Sequence, residues 1–190
     1  MKKTLFTAAI MAAFGAAVLA PAYAANTSSG TINITGSVVT STCNVTVNGT
    51  SGNGTVALPS VDTGSLASTG ASAGWTSFPV VLSGCGTSVT DGTNTYSKVA
   101  PYFYGTSVDT TSGFLDNTSG TSNVQVALSN SPNTTSALKL NLAAKNQNVT
   151  AQTLSASNIT FTFYAGYVAQ TAAATAGTVS TTVQYNLSYQ

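Results

Sequence analysis

The side chains that could do chemistry in this chain are two cysteines, Cys43 and Cys85, and a small set of charged residues. The charged residues are Lys2, Lys3, Lys98, Lys139, Lys145, Asp62, Asp91, Asp109 and Asp116. Histidine, glutamate and arginine do not occur in the sequence. General acid–base catalysis needs a positioned group that titrates near the working pH, and a nucleophile needs an activating base beside it. The sequence therefore predicts no catalytic residues, and we expect the protein not to be an enzyme.

The N-terminal segment has the pattern of a secretion signal. Lys2 and Lys3 precede the apolar run 5–20, Pro21 breaks the run, and Ala22-Tyr23-Ala24 is a small-x-small cleavage site. The alternative is a membrane anchor, but the apolar run is short for a bilayer-spanning helix. We expect residues 1–24 to be a signal peptide, and we expect no membrane span in the mature chain.

An exported chain places its two cysteines in an oxidising compartment, where an even cysteine count favours disulfide formation. A zinc site needs more ligands than two cysteines without histidine can supply. The separation of Cys43 and Cys85 also differs from the Cys-X-X-Cys spacing of a redox pair. The sequence therefore predicts a structural disulfide between Cys43 and Cys85.

The charge balance excludes several classes of partner. Beyond residue 24 the chain carries three lysines against four aspartates, a net charge of −1. Nucleic-acid binding depends on basic side chains that neutralise phosphates, so we expect no nucleic-acid partner. The aspartates are isolated and fit no calcium-binding loop, and no glycine-rich loop cradles a phosphate. We therefore predict that the protein binds no metal and no cofactor. A surface with so little net charge also favours self-association.

The elements that must carry these residues are β-strands. Apolar residues at every second position indicate a half-buried strand, because successive side chains of a strand point to opposite faces. The longest such pattern spans residues 177–190, where one parity carries Val179, Val183, Tyr185, Leu187 and Tyr189. Shorter patterns predict strands at 28–36, 45–47, 55–58, 78–82, 96–104, 123–128, 137–142 and 159–167. No stretch after residue 24 has helical periodicity, so we predict an all-β sandwich.

Two local signals refine this prediction. Asn48-Gly49 is a hairpin-turn signal at the end of the 45–47 strand. Pro101 lies inside the 96–104 strand and cannot donate a backbone hydrogen bond. We therefore expect a sheet edge or a bulge at Pro101.

Beyond residue 24 the sequence resembles the chaperone–usher fimbrial pilins, in particular the major subunits of type 1 fimbriae. The family's N-terminal arm reads G-x-[VI]-x-F-x-G, followed by two small apolar residues and then a cysteine. A second motif is F-x-[IV]-x-L-x-x-C, and the end of the chain has an aromatic-rich strand, a T-A-G loop and a penultimate tyrosine. The matching residues here are 30–39 with Cys43, 78–85, 164–167, 175–177 and Tyr189. The chain departs from the family at Ile34, where phenylalanine is usual.

This resemblance implies an incomplete immunoglobulin-like sandwich that lacks its last strand and is completed by a donor strand from another subunit. The donor residues implied are Ser28, Gly30, Ile32, Ile34 and Gly36, with the two isoleucines filling the main pockets. The acceptor would be a hydrophobic groove beside the C-terminal strand, with the chain near Ser37 to Thr42 as its other wall. The acceptor residues implied are Val179, Val183, Tyr185, Leu187, Tyr189 and Gln190, whose carboxylate would bind in a chaperone's basic cleft.

The resemblance also implies a domain organisation and a function. Residues 1–24 would be the signal peptide, 25–36 the donor-strand arm and 37–190 the pilin domain. The protein would be a structural subunit of a bacterial fimbria that joins other copies of itself, or related pilins, head-to-tail by donor-strand exchange. A periplasmic chaperone would deliver it to an outer-membrane usher, and the extracellular fimbria would support cell adhesion. A second hypothesis is a small secreted lectin-like or coat protein that folds as a self-sufficient monomer.

Overall fold

A computed structural model describes residues 32–34, 36–40, 43–120 and 123–190. The chain divides into two units, residues 1–36 and 37–190. In the first unit, residues 32–34 and 36 lie outside any strand, and the side chains of Ile32 and Ile34 are 86% and 90% exposed. The predicted signal peptide and the donor positions Ser28 and Gly30 lie outside the described residues, so the domain limits stay predictions.

The described part of the second unit consists of β-strands and two short 3-10 turns, at Thr63–Leu66 and Ala144–Asn146. The strands are β1 (Asn44–Val47), β2 (Thr50–Ser51), β3 (Ser72–Ser83), β4 (Val89–Thr90), β5 (Thr95–Tyr96), β6 (Lys98–Tyr104), β7 (Leu115–Asp116), β8 (Val124–Ser129), β9 (Gln152–Thr153), β10 (Ile159–Ala169) and β11 (Gln184–Tyr189). None of the helical segments in the described ranges has the length and hydropathy needed to cross a bilayer.

The strands form a six-stranded sheet, a three-stranded sheet and a small hairpin. The six-stranded sheet has the order β2-β1-β3-β10-β8-β7, the three-stranded sheet has the order β11-β6-β9, and β4 pairs with β5. All of these pairs are antiparallel. The two larger sheets share one apolar core, which gives the molecule the architecture of a sandwich.

The core is centred on aromatic residues whose alternation was legible in the sequence. On β10, Phe161 and Phe163 are buried between exposed threonines. The ring of Phe163 meets that of Phe103 edge-on at 5.2 Å between centroids, and Phe103 lies on β6 of the other sheet. Phe78 on β3 contacts the same ring at 5.9 Å. Burying one such side chain contributes about 1.5–3 kcal/mol to the free energy of unfolding, so the packing of this cluster is a main contribution to holding the sheets together.

The predicted disulfide is confirmed. Cys43 and Cys85 are bonded, with their Cα atoms 4.2 Å apart. The bond joins the residue before β1 to the segment after β3, and these strands pair from Asn44↔Ser83 to Val47↔Val80. In the chain-entropy account, closing a loop of this length removes about 4 kcal/mol of unfolded-state freedom.

The hairpin turn at Asn48-Gly49 is also confirmed. Both residues have positive φ, 49° and 82°, which matches the turn type that Asn-Gly favours between twisted strands. It joins β1 to β2, which pair through Val47↔Thr50 and Thr46↔Ser51.

Residues 137–142 were predicted to be a strand, and this is wrong. Leu138 and Leu140 are buried as the alternation indicated. However, the amides of residues 138–140 donate to three different segments, at Leu128, Gln147 and Gly113. A strand needs successive bonds to one partner, so this segment buries its leucines without forming a ladder.

Pro101 lies in β6, the central strand of the three-stranded sheet, and is buried. On one side it faces Leu187 of β11. On the other side β9 pairs only with Lys98 and Val99, so β6 has no described neighbouring strand at Pro101. Proline has no backbone N–H, and at Pro101 β6 is locally an edge strand, where no neighbouring strand needs that donor. This agrees with the sheet edge expected at Pro101 from the sequence.

Candidate functional site

The strand β11 has a neighbour on one side. It pairs with β6 from Gln184↔Tyr104 to Tyr189↔Val99, and among the described residues no strand lies on its other edge. The sequence predicted a strand over residues 177–190, but β11 begins at Gln184. The preceding backbone is bonded elsewhere: the Ser180 amide donates to Oδ1 of Asn117 at 2.9 Å, and the Thr118 amide donates to the Ser180 carbonyl at 2.8 Å.

An extended segment, residues 52–58, lies opposite β11. The sequence predicted a strand at 55–58, but the structure assigns none there, because residues 54–58 make no backbone–backbone hydrogen bond among the described residues. Within residues 54–58 the Thr55 carbonyl accepts a hydrogen bond from the side-chain Nδ2 of Asn48 at 2.8 Å. Among the described residues, therefore, neither residues 54–58 nor the outer edge of β11 has a neighbouring strand.

Between these two edges lies a groove with a volume of about 1090 Å³. Its walls are residues 52–58 on one side and residues 179–185 on the other. Its floor consists of core side chains from both sheets, namely Val47, Phe78, Val80, Phe103, Leu115, Val126, Leu128, Ala165 and Tyr167. The described residues that line it carry no charge, so the groove suits an apolar, uncharged occupant.

The second wall corrects an expectation. The chain near Ser37 to Thr42 was expected to form it, but none of the described residues 37–40 lines the groove, and residues 41 and 42 lie outside the described ranges. The chain reaches the open edge only after the β1–β2 hairpin, because β1 is held in the large sheet by β3 and by the disulfide. The alternation of Val56 and Leu58 before Pro59 was the sequence signal for this wall.

The acceptor residues implied by the sequence fall into two groups. Val179, Val183 and Tyr185 line the groove. Leu187 and Tyr189 pack against the same core but are not among the described lining residues. All five are only partly buried, as expected of apolar side chains on an uncovered edge.

The C-terminal residue Gln190 is bonded to the start of β6. Its amide donates to the Lys98 carbonyl at 2.8 Å, and its carbonyl oxygen accepts from the amides of Ser97 at 3.0 Å and Lys98 at 2.8 Å. The last residue is thereby held in line with β11, at the far end of that strand from the groove.

Within the described part of the chain, one hydrogen bond crosses the groove. The hydroxyl of Tyr185 donates to the carbonyl of Gly52, with 2.6 Å between the oxygens. Burial raises the pKa of the Tyr185 hydroxyl, so it remains a donor at neutral pH. Sequence analysis placed Tyr185 on the inner face of the strand but gave no signal for this contact.

A smaller cavity of about 450 Å³ continues from the groove and shares Tyr167 and Val179 with it. Its other lining residues are Ser60, Val61, Thr63, Leu66, Val124 and residues 174–178. The uncovered surface is therefore longer than the main groove. Within the described ranges, no three metal-ligating side chains lie together.

The length of the groove suits one extended chain. A strand added beside β11 would lie about 4.8 Å from it, on the side of residues 52–58. Each wall spans seven residues, a length of about 20 Å at about 3.3 Å per residue. The site can thus take up a strand whose alternate side chains enter the core.

Comparison with known proteins places the chain in a family. A family model described as fimbrial protein matches residues 32–190. The F17 fimbrial protein of Escherichia coli is 42% identical over 164 residues, which cover 85% of this chain and 87% of that protein. The major fimbrial subunit SMF-1 of Stenotrophomonas maltophilia (strain K279a) is 36% identical over 174 residues, which cover 87% of this chain and 95% of that protein.

Solved structures share the fold. A chain from a chaperone–usher pilus superposes with a TM-score of 0.58 at 19% identity, covering 85% of this chain and 96% of that one. The P pilus rod subunit PapA superposes with a TM-score of 0.57 at 20% identity, covering 78% and 99%. The predicted all-β, immunoglobulin-like sandwich is confirmed. With its open groove, its fold and relatives matched over most of their length, the chain belongs to the fimbrial protein family and is a structural subunit of a bacterial fimbria.

Proposed function

We propose that this subunit polymerises by donor-strand exchange, in which the arm 25–36 of one copy fills the groove of the next. The observation that carries the proposal is the groove itself. It lies along residues 179–185, which lead into the free edge of β11, and it opens onto core side chains of both sheets. An immunoglobulin-like sandwich with such a gap buries its core fully only when another strand is added.

The arm has the properties of the missing strand. Ile32 and Ile34 lie on one parity, and their side chains are almost fully exposed in the free chain. Burying two isoleucines contributes about 3–6 kcal/mol, in addition to the backbone hydrogen bonds along β11. Because donor and acceptor lie in different parts of the same chain, the contact is head-to-tail, and it produces a filament when the rotation between successive copies does not close a ring.

Export and delivery complete the proposal. The pattern of residues 1–24 supports passage through the inner membrane, and residues 37–190 would be the pilin domain. A subunit with an open apolar groove would aggregate if released alone. A periplasmic chaperone that covers the groove, binding the Gln190 carboxylate in its basic cleft, and an outer-membrane usher would solve this problem. The extracellular fimbria would support cell adhesion, with no enzymatic activity in the subunit.

The test replaces Ile32 and Ile34 together by aspartate. Two carboxylates cannot enter an apolar groove without a large desolvation cost, so we expect fibre formation to be abolished. The control is Asn33→Asp with Thr31→Asp, which adds the same charge on the opposite parity. The control should assemble at near wild-type levels, measured by electron microscopy of cells and by heat-stable oligomers on gels.

Fibres of normal number and length from the Ile32→Asp, Ile34→Asp chain would show that the arm is not the donor. Equal loss in both double variants would mean that added charge, and not the loss of the two isoleucines, prevents assembly. Either result would overturn the proposal.

A further inference from the structure

The two walls of the groove are distant in sequence and share no backbone ladder. Residues 52–58 and 179–185 are joined, among the described residues, by one hydrogen bond, from the Tyr185 hydroxyl to the Gly52 carbonyl. The bonded residues are 133 positions apart. At this end of the groove, a single side chain therefore provides the direct hydrogen bond between the walls.

Both ends of this contact are firmly held. Gly52 has φ of 72°, a conformation that glycine adopts without strain, and its amide donates to the Val45 carbonyl on β1 at 2.9 Å. Tyr185 is held in the ladder of β11 opposite Phe103 of β6. The bond thus ties the three-stranded sheet to the first strand of the six-stranded sheet, across the gap where a strand is missing.

The position of Tyr185 along the groove is also informative. It is the last residue of β11 that lines the cavity, because Leu187 and Tyr189 are not among the described lining residues. Tyr185 therefore lies at one end of the groove, and its hydroxyl reaches across to the opposite wall. A side chain that crosses an opening can act in two opposite ways, either by holding the walls ready for an occupant or by barring its entry.

We propose that Tyr185 is a strut that holds the two walls at the spacing of one strand, so that the empty groove is preorganised for the arm of another copy. This inference rests on donor-strand exchange being the way in which the subunits join. Without the strut, the wall of residues 52–58 keeps its bonds to the β1–β2 hairpin, from the Gly52 amide to Val45 and from Asn48 to the Thr55 carbonyl, but no described hydrogen bond joins it to the opposite wall. The groove then spends part of its time with the wrong wall spacing, and an arriving arm finds fewer competent acceptors. Tyr185 is in this sense a positioning residue for the exchange.

The experiment measures arm binding with Tyr185→Phe, which keeps the ring and removes the hydroxyl. The acceptor is the full chain carrying Ile32→Asp and Ile34→Asp, so that its own arm cannot polymerise it. The donor is a fluorescent synthetic peptide of residues 25–36. The matched control is Tyr102→Phe, which removes a tyrosine hydroxyl from β6, where the ring stacks on Tyr104 at 5.6 Å and does not line the groove.

The Tyr185 hydrogen bond, in this proposal, sets the fraction of acceptor molecules whose groove is ready to bind the arm. Removing that bond with Tyr185→Phe should therefore lower the association rate constant about two- to tenfold. The dissociation rate constant should stay within about twofold of the unsubstituted acceptor, because the bound arm itself holds the walls. Tyr102→Phe should change neither rate. This separation of rates is not expected if Tyr185 only packs against the bound arm, since lost packing would speed dissociation.

Two results would overturn the inference. One is an unchanged association rate, whether or not dissociation changes. The other is a faster association rate, which would show that Tyr185 hinders entry of the arm. If the acceptor with Tyr185 intact does not bind the peptide, the proposal of donor-strand exchange is wrong, and the role proposed for Tyr185 is wrong as well. Should the acceptor aggregate with its groove empty, the same comparison is made on fibres of the full chain with its wild-type arm. Tyr185→Phe should then slow elongation and leave dissociation in denaturant unchanged, and the reverse pattern would reject the strut.

Discussion

Asp109 and Asp116 hold a surface segment in place through side-chain hydrogen bonds. Asp109 accepts hydrogen bonds from the Thr111 amide at 2.7 Å, from Nε2 of Gln125 at 2.8 Å and from the Ser112 hydroxyl at 3.0 Å. Gln125 is buried and also donates to Asp116 at 2.9 Å. Carboxylates that are isolated in the sequence therefore join residues 109–116 to β8 through the Gln125 side chain.

The hydrogen bonds to Asp109 make stability depend on pH. The amide of Thr111 and the side chain of Gln125 lower the pKa of Asp109 from its ordinary 3.8 to about 2. Hydrogen bonds from the Ser37 side chain and from Asn94 lower the pKa of Asp91 as well. A carboxyl with a lowered pKa binds its proton more weakly in the folded than in the unfolded state. It therefore stabilises the fold above pH 4 and loses this effect as the pH falls towards 2.

Asp109→Asn should consequently lower the free energy of unfolding at pH 7 and reduce its decline between pH 4 and pH 2, since the substituted side chain does not titrate. Denaturant unfolding at several pH values measures both effects. The wild-type and Asp109→Asn curves should converge near pH 2, where the wild-type carboxyl is becoming protonated. Curves that remain parallel across this range would show that Asp109 does not account for the acid sensitivity.

At the scale of elements, β6 shows how an unpaired strand edge is satisfied without another strand. Beyond Val99 the edge of β6 that faces β9 has no ladder partner among the described residues. The buried side chain of Gln147 takes that place: its Oε1 accepts from the Phe103 amide at 2.9 Å and its Nε2 donates to the Phe103 carbonyl at 2.6 Å. A side-chain amide thus imitates one residue of a neighbouring strand.

Gln147→Leu should be strongly destabilising, because the buried amide and carbonyl of Phe103 would lose their partners. Each unsatisfied buried group costs about 1–3 kcal/mol, so the loss of both partners should lower the free energy of unfolding by about 2–6 kcal/mol. The control is Gln152→Leu, an exposed glutamine whose Nε2 donates once, to the Thr160 carbonyl at 2.9 Å. Its effect should stay below about 1 kcal/mol, since water can replace the partner. Denaturant unfolding measures both effects. If the two variants lost the same free energy of unfolding, Gln147 would not be replacing a neighbouring strand.

At the scale of the whole molecule, the sandwich leaves one strand position empty. The six-stranded sheet is complete enough to bury Phe78, Phe161 and Phe163, whereas the three-stranded sheet stops at β11. Val179, Val183 and Tyr185 remain partly exposed for this reason. The hypothesis of a self-sufficient monomer gains no support from such an arrangement, because a complete sandwich would cover these side chains itself.

Relocating the arm provides a prediction about the whole subunit. If residues 25–36 are deleted from the N-terminus and appended after Gln190 through a short turn linker, the arm can fold back along β11 of its own chain. We expect a soluble monomer that no longer polymerises and that is more stable than the arm-deleted chain by about 3–6 kcal/mol. Light scattering and denaturant unfolding give the two readouts.

The control for this experiment appends the same arm with Ile32→Asp and Ile34→Asp. It should show no gain over the arm-deleted chain, because the isoleucines supply the apolar contact. A cooperative, stable monomer from the arm-deleted chain alone would contradict the idea of an incomplete sandwich.

Much of the fold was open to prediction because strand alternation is local. The period of two in Phe161, Phe163 and Ala165 indicates which face is buried whatever the strand pairs with. The same holds for Val183, Tyr185 and Leu187, all of which pack on the core as the pattern indicated. The disulfide followed from the cysteine count and the export signal, and the Asn48-Gly49 turn followed from backbone preferences of two residues.

By itself, then, the amino-acid sequence determined the strand-rich class, the buried faces, the disulfide and the family. Only the tertiary structure decided that β11 starts at Gln184, that residues 52–58 form the second wall, and that Gln147 and Tyr185 bridge unpaired edges. These features depend on which unpaired backbone groups meet across separations of 44 and 133 residues. No local period carries that information, because it arises from the packing of whole sheets against one another.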